Sequence, residues 1–319
     1  MEDLLTRVAA FVSRHALWRQ GGRVLVACSG GPDSLALLSL VSALKKTQNL
    51  EVWAAHFDHG IRGEEGRADA AFVTDFAAAH AIPCRMTWED VPAYAARHGL
   101  SVEMAARERR YRFLRRTAVE MGPGTVIATG HQAEDQAETV LMRILRGTGL
   151  HGLSAIRPRR GNVVRPLLSV SRADIEAYCL QEDLSPRQDA TNAEMDAVRN
   201  RLRLELMPLL RDRYNPEITM ALCRLADIAR DEGDFLRRSV EAIWQKVAQP
   251  IPEGWALARA AFSQQPVALQ EGVLRRLAEV LGERMRFRFV HYEALKDLLI
   301  KGRTGVKIDL PGRWRGEIV

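Results

Sequence analysis

Cysteine is scarce and scattered: the four thiols of this 319-residue chain, Cys28, Cys84, Cys179 and Cys223, form no Cys-x-x-Cys pair. That spacing excludes a zinc ribbon and a disulfide framework, and it fits a reducing, cytoplasmic compartment. Long apolar runs are missing too. The longest mostly apolar helical stretch, residues 35–44, is broken by serines and is too short to span a bilayer. The amphipathic first 22 residues carry Glu2 and Asp3 early, a pattern unlike a signal peptide. There is no Gly-Lys-Ser/Thr ending that would mark the common P-loop, no internal repeat and no low-complexity tract. Charge of one sign is only modestly short: 46 Lys+Arg against 40 Asp+Glu leave a net charge of +6, which favours a polyanionic partner. The length gives a prior of about two domains, with enough chain to bury cores without metal or disulfide help.

What the chain does have is a short apolar run, residues 24–27, feeding into Cys28-Ser29-Gly30-Gly31-Pro32-Asp33-Ser34 and then a helix. Gly30 and Gly31 allow a backbone that turns successive N–H groups toward one anion. The hydroxyls of Ser29 and Ser34 add donors, and the helix N-terminus adds partial positive charge. Asp33 would repel a bare phosphate, so the loop points to a metal–nucleotide complex.

Strand-like runs at residues 24–28, 52–56, 83–86 and 126–129 alternate with helices starting near Ser34, Glu64, Ser101 and Ala133. This predicts an α/β fold with a doubly wound, mostly parallel sheet, whose ligands bind at the carboxyl ends of the strands. Ser29 to Ser34, His56 and His131 each follow a predicted strand and would meet at that edge. Ser171-x-x-Asp174 reads as a capping box opening a further helix, and residues 200–210 as another. Pro208, Pro216 and the polar cluster 212–215 suggest a boundary between a domain at 1–214 and a smaller, mostly helical one at 215–319. A break falls at residues 249–254, and short strand-like runs close the chain. Val319 carries no C-cap or polar tail, so a shortened chain and a naturally short one are both open readings.

Three further groups carry chemistry. In the helix after Gly130, an apolar stripe of Ala137, Val140, Leu141, Ile144 and Leu145 would face the sheet, leaving Asp135 and Glu138 as paired carboxylates near its start. They complement the helix dipole or serve metal binding or catalysis. Glu103, Arg107 and Arg110 share one helix face beside Tyr111 and Phe113, a pattern suited either to a surface ion pair or to a phosphate or nucleotide base. Asp189 to Asn192 precedes Arg199, Arg201 and Arg203, which form a solvated basic face or capture anions at a helix start.

Together these residues carry a resemblance. The Ser-Gly-Gly-Pro-Asp-Ser loop is similar to that of enzymes that split ATP into AMP and pyrophosphate. His56-Phe-Asp-His59-Gly-Ile-Arg62-Gly, Glu103-x-x-Ala-Arg107-x-x-Arg110-Tyr111, Gly130-His131 through Glu138, Arg146-Gly-x-Gly149, Arg165-Pro-Leu and Arg199-Asn-x-x-Arg203 narrow it. Over about residues 20–215 the chain resembles the tRNA(Ile)-lysidine synthetase family. It departs where the family usually has a second His, at Gln132, and an Asp, at Glu134. Longer members carry a further C-terminal tRNA-binding domain.

The resemblance implies an adenine nucleotide α-hydrolase-like fold and ATP-dependent ligation of free L-lysine to carbon 2 of the wobble cytidine in the isoleucine tRNA with a CAU anticodon. An adenylated tRNA would be the intermediate, with AMP and pyrophosphate released. ATP would lie on Ser29, Gly30, Gly31, Pro32, Asp33, Ser34 and His56, with Mg²⁺ held by Asp33 and Asp135. Asp33, Arg110, Asp135 and Glu138 would be catalytic, and Arg107, Arg199, Arg201 and Arg203 would contact tRNA, as would the domain at 215–319. A homodimer stays open and no membrane partner is expected. Two other readings compete: a tRNA thiolase on the same ATP loop, which needs catalytic cysteines, and an RNA-binding module that holds nucleotide without turnover.

Overall fold

The computed structural model describes residues 3–187, 197–283 and 286–319, so the motif at 189–192 lies outside the described residues. The chain divides into two compact units, 1–227 and 228–319.

The first unit is built on a six-stranded sheet. Its strands are β1 (Arg23–Ala27), β2 (Glu51–Asp58), β3 (Cys84–Trp88), β4 (Val126–Ala128), β5 (Arg159–Arg160) and β6 (Val163–Val164). They lie in the order β3-β2-β1-β4-β6-β5, parallel except for the β5–β6 pair. Its helices are α1 (Leu4–Arg14), α2 (Pro32–Thr47), α3 (Glu64–Ala79), α4 (Val91–His98), α5 (Val102–Met121), α6 (Ala133–Leu145), α7 (Leu150–Leu153), α8 (Arg172–Gln181), α9 (Ala197–Arg201) and α10 (Met207–Arg213), followed by the start of α11 (Ile218–Val247).

Strand alternation in β1 decides the layering, because successive side chains leave opposite faces. Val24 and Val26 enter a core with α1, α2, α3 and α8. Leu25 enters another with α4 and α5. The result is the doubly wound α/β sandwich of the adenine nucleotide α-hydrolase-like fold. With β2 on one side of β1 and β4 on the other, the chain reverses direction across the sheet at β1, and the loops after β1 and β4 flank the crevice opened there.

Local signals set the helix starts. Ser101 accepts from the Met104 N–H at 3.2 Å, and Asp90 from the Ala93 N–H at 2.9 Å. Ser171 and Asp174 form the expected capping box at the head of α8. Helix α4 had no separate forecast. The helix forecast at 200–210 spans α9, a π-helical turn (Leu202–Leu206) and α10. Pro208 has no N–H for the Leu204 carbonyl four residues back, which accounts for the irregular turn.

Two expectations are corrected. The apolar stripe of α6 does not face the sheet: Ala137 and Val140 pack with Ala155, Met207, Leu222 and Ala226, and Ile144 and Leu145 at its far end are exposed. The first turns of α11 claim that stripe. For the same reason the unit boundary falls inside α11, at 227/228, instead of in the loop before residue 215.

The second unit contains the rest of α11, a hairpin of β7 (Ala248–Ile251) and β8 (Gly254–Leu257), α12 (Arg259–Ser263), α13 (Val267–Val280), α14 (Phe289–Lys301) and a hairpin of β9 (Lys307–Asp309) and β10 (Arg315–Glu317). Phe262, Val273 and Leu274 are fully buried at its core, where the Trp244 and Trp255 rings lie 4.9 Å apart.

Candidate active site

The loop between β1 and α2 is held together by Ser34. Its hydroxyl accepts the Ser29 N–H at 3.1 Å, donates to the Gly31 carbonyl at 3.0 Å and lies 3.1 Å from the Ser29 hydroxyl. Ser34 therefore fastens the loop instead of presenting a spare donor as expected, while Ser29 is exposed. Gly30 adopts φ +93°, a left-handed value that favours glycine. Gly130, opening the loop after β4, approaches so closely that a Cβ there would meet the Asp33 carbonyl at 3.1 Å and the Ser34 N at 3.2 Å. A larger residue at 130 would push the two loops apart. At the end of β2, buried His56 sets Nδ1 3.0 Å from the Cys28 carbonyl. A carbonyl only accepts, so Nδ1 carries the proton, and burial keeps the ring neutral by lowering its pKa.

Asp33 stands in the first turn of α2 with one carboxylate oxygen, Oδ1, buried and without a hydrogen-bond partner. Burial, then the negative charge of Asp135, push its pKa up to about 6, against the pull of Arg172 and Arg203. A buried, unpartnered carboxylate oxygen at the mouth of an anion cradle has the chemistry of a divalent-cation ligand. Mg²⁺ typically takes only one or two protein carboxylates and completes its shell with phosphate and water. Among the described residues no group of three or more His, Cys, Asp or Glu side chains could hold a metal by itself.

Asp135 fits that role less well. Its Oδ2 accepts the Gln132 N–H at 3.1 Å and its Oδ1 the Arg199 guanidinium at 2.7 Å. The first contact is half of a capping box, in which fully buried Gln132 returns its Oε1 to the Glu134 N–H at 2.6 Å. Glu134 reaches α8, accepting the Arg172 N–H at 3.0 Å. Gln at the N-cap and Asp three positions on was the available signal for this cap.

Glu138 is 2% exposed and both its oxygens are taken. Arg199 Nε lies 2.7 Å from Oε2, Arg203 Nε 2.6 Å from Oε1 and Arg203 Nη2 3.1 Å from Oε2. Arg199 and Arg203, read from the sequence together with Arg201 as a solvated basic face or as an anion-capturing group, turn inward onto the two carboxylates. Arg201 points outward, exposed, 3.9 Å from Glu205.

A basic group gathers around Tyr111. Arg107, Arg110 and Arg115 sit 5.1, 5.8 and 6.0 Å from the centre of the Tyr111 ring. Burial lowers the pKa of Arg110 and Arg165. His131 Nδ1 is 3.0 Å from the Thr129 hydroxyl. Burial and then the charges of Arg165, Arg110, Arg199 and Arg107 push its pKa down to about 3. His59 is brought to about 4 by burial and then Arg110. Two neutral imidazoles and several guanidiniums make a basin suited to phosphate. Arg107, read from the sequence either as a surface ion-pair partner of Glu103 or as a phosphate or base contact, packs on Tyr111.

The cysteines are not arranged for catalysis. Cys28, Cys179 and Cys223 are buried and none is disulfide-bonded. Burial pushes the Cys28 thiol up to about 11 and the Cys223 thiol up to about 12.

Comparison with known proteins identifies the family. The family model described as "PP-loop domain" matches residues 2–210. The tRNA(Ile)-lysidine synthase of Geobacillus kaustophilus is 38% identical over 314 residues, covering 97% of this chain and 67% of the relative. This chain belongs to the tRNA(Ile)-lysidine synthase family. The Clostridium perfringens member is 36% identical over 305 residues, 95% of this chain and 65% of its own length. The Symbiobacterium thermophilum member is 41% identical over 285 residues, 85% of this chain and 58% of its own. The chain thus spans about two thirds of the length of such lysidine synthases. Among solved structures, the U34-tRNA thiolase NcsA from Methanococcus maripaludis superposes with a TM-score of 0.57 at 18% identity, over 70% of this chain and 77% of that one; the likeness is one of fold. No helix among the described residues is long and apolar enough to cross a membrane.

Proposed function

We propose that this chain uses ATP to join free L-lysine to carbon 2 of the wobble cytidine in the CAU-anticodon isoleucine tRNA. The single observation that carries the reading is the buried, unpartnered Asp33 oxygen in the helix turn that follows the glycine loop, within reach of the charges of Asp135, Arg172 and Arg203. A nucleotide triphosphate, its cation and an RNA phosphate all find complementary charge there.

The cytosine 2-carbonyl is a poor electrophile. Its oxygen first attacks the α-phosphorus of ATP, forming a P–O bond as the bond to pyrophosphate breaks. Backbone N–H groups of Gly30, Gly31 and the first turn of α2 receive the pyrophosphate, and Asp33 is the residue that would hold Mg²⁺. That cation, when bound, neutralises charge on the leaving group. Arg110 stabilises charge on the α-phosphate, and His56, fixed by Cys28, orients the nucleoside.

In the second step the lysine ε-nitrogen attacks carbon 2, the carbon–oxygen bond breaks, and AMP leaves with the former carbonyl oxygen. The ammonium must first lose a proton. Asp135 and Glu138 are the anionic groups at hand, and Arg199 and Arg203 set their orientation. Exposed Arg107 and Arg201 supply contacts to tRNA phosphates, and the second unit supplies further tRNA contacts of its own. The thiolase reading loses support because Cys28, Cys179 and Cys223 are buried and desolvation raises the pKa of all four thiols, half-buried Cys84 included, and the non-catalytic reading loses it from the paired carboxylates near the nucleotide loop.

The test is steady-state pyrophosphate release with ATP and Mg²⁺. Release should require both lysine and the CAU-anticodon tRNA, and the tRNA should gain the mass of lysine less one water. Turnover that ignores either substrate would overturn the assignment.

A further inference from the structure

Outside the paired carboxylates lies a second charge cluster, built on one buried carboxylate. Asp69, in α3, is 4% exposed. One of its oxygens pairs with Arg62, from the loop after β2, and the other with Arg187, from the segment after α8. The segment after α8 is thus tied to the same carboxylate that holds the loop just before α3.

The cluster touches the nucleotide loop through the backbone. The Arg187 N–H donates to the Gly30 carbonyl at 3.0 Å, and a Cβ added at Gly31 would lie 4.0 Å from the Arg187 carbonyl. Beneath the same loop, α3 supplies Val73 and Phe72, which a Cβ on Gly30 would meet at 3.5 and 3.6 Å. Asp69 also acts on the neutral His56, whose pKa it pulls upward. A lone carboxylate at this place would repel phosphate; flanked by two guanidiniums, it leaves a local surplus of one positive charge.

We propose that Asp69 is a positioning residue for ATP. By anchoring Arg187 it holds the Gly30 carbonyl away from the cradle, so that the adjoining N–H groups keep facing the phosphates, and with Arg62 it sets the loop after β2 beside the nucleoside. The proposal rests on the ATP-dependent reading above and names which residues shape the ATP side of that site. Carbonyl oxygens and phosphate repel one another, so a loop free to rotate Gly30 would bind ATP more weakly without altering the lysine step.

The experiment is equilibrium binding of a non-hydrolysable ATP analogue with Mg²⁺, together with KM and kcat, on the full chain carrying Asp69→Asn, Asp69→Glu, Arg187→Ala and the double change Asp69→Asn/Arg187→Ala. Loss of a charge-assisted hydrogen bond predicts about tenfold weaker analogue binding and an ATP KM raised by about the same factor. The kcat at saturating ATP and the affinity for tRNA should change little. Asp69→Glu should recover part of the loss, and the double variant should bind no more weakly than Asp69→Asn. Arg187 lies at the surface, so Arg187→Ala tests the link even if Asp69→Asn unfolds. Unchanged analogue binding in a folded Arg187→Ala chain, or single effects that multiply in the double variant, would overturn the proposal. A wild-type chain that bound no nucleotide would instead bring down the ATP-dependent reading, and this proposal with it.

Discussion

Arg203 grips Glu138 with a two-pronged fork, Nε at 2.6 Å from one oxygen and Nη2 at 3.1 Å from the other. Glu138 is almost fully buried and shares Arg199 with Asp135, so two carboxylates and two guanidiniums form one neutral unit. Burying charge in this way is tolerable only when each partner is present.

Removing half of that unit should be costly. Glu138→Gln leaves two arginines facing a neutral amide, and a loss of about 3–5 kcal/mol in unfolding free energy is expected. Asp135→Asn, which keeps Arg203 paired, should cost less. Chemical denaturation measures both. A lysine chase of preformed adenylated tRNA should also slow in both variants, and normal chase rates would refute their part in the amine step.

Asp33 should show a trade of stability for function. Its folded-state pKa, about 6, lies above the ordinary 3.8, so the ionised form is disfavoured in the folded chain. The penalty is absent below pH 3.8, grows as pH rises and is complete above about 6. Asp33→Asn should therefore stabilise the chain at pH 7.5, by about 1–3 kcal/mol, while pyrophosphate release falls by about a hundredfold or more. Thermal melting at pH 7.5 and 4.5 tests the first part: the stabilisation should shrink at the lower pH.

The histidines act with the opposite sign. His131 and His59 have folded-state pKa values of about 3 and 4 against an ordinary 6.5. Their neutral forms contribute stability that is fully present above pH 6.5 and is lost as pH falls toward those values. Each contributes a slope of at most about 1.4 kcal/mol per pH unit in that window. Replacing His131 by Gln should flatten the fall in denaturation midpoint between pH 6.5 and 4.5; an unchanged profile would show that His131 does not carry it.

For tRNA, the inward turn of Arg199 and Arg203 moves the expected phosphate contacts elsewhere. Arg107→Ala and Arg201→Ala should each lower the slope of log affinity against log salt by about one unit or slightly less, weakening cognate and non-cognate tRNA alike. Arg199→Ala should leave that slope nearly unchanged while activity drops. A reduced slope in Arg199→Ala would mean that the arginine leaves its carboxylates to meet RNA.

Ornithine, one methylene shorter than lysine, should be a poor substrate, with discrimination of about 10–200-fold in kcat/KM. Equal rates would mean that the amine pocket does not measure chain length.

The sequence alone determined the strand–helix alternation of the first unit, the position of the glycine loop between β1 and α2, and the Ser171–Asp174 cap. Each of these follows from periodicity, turn chemistry or capping within a few residues. It also exposed the chemistry-bearing residue types, since Asp33, Asp135, Glu138 and the arginines stand in recognisable spacings. Only the tertiary structure decided who meets whom. Arg199 and Arg203 find Glu138 across more than sixty residues of chain, and Arg187 finds Asp69 and Gly30 only after α8 has packed onto α2. The hydroxyl of Ser34 turned out to be a loop fastener, and the stripe of α6 met α11 instead of the sheet, because an apolar face or a polar atom goes to whichever partner packing brings within reach. Side-chain periodicity names the face a residue occupies; only the assembled core names the group opposite it.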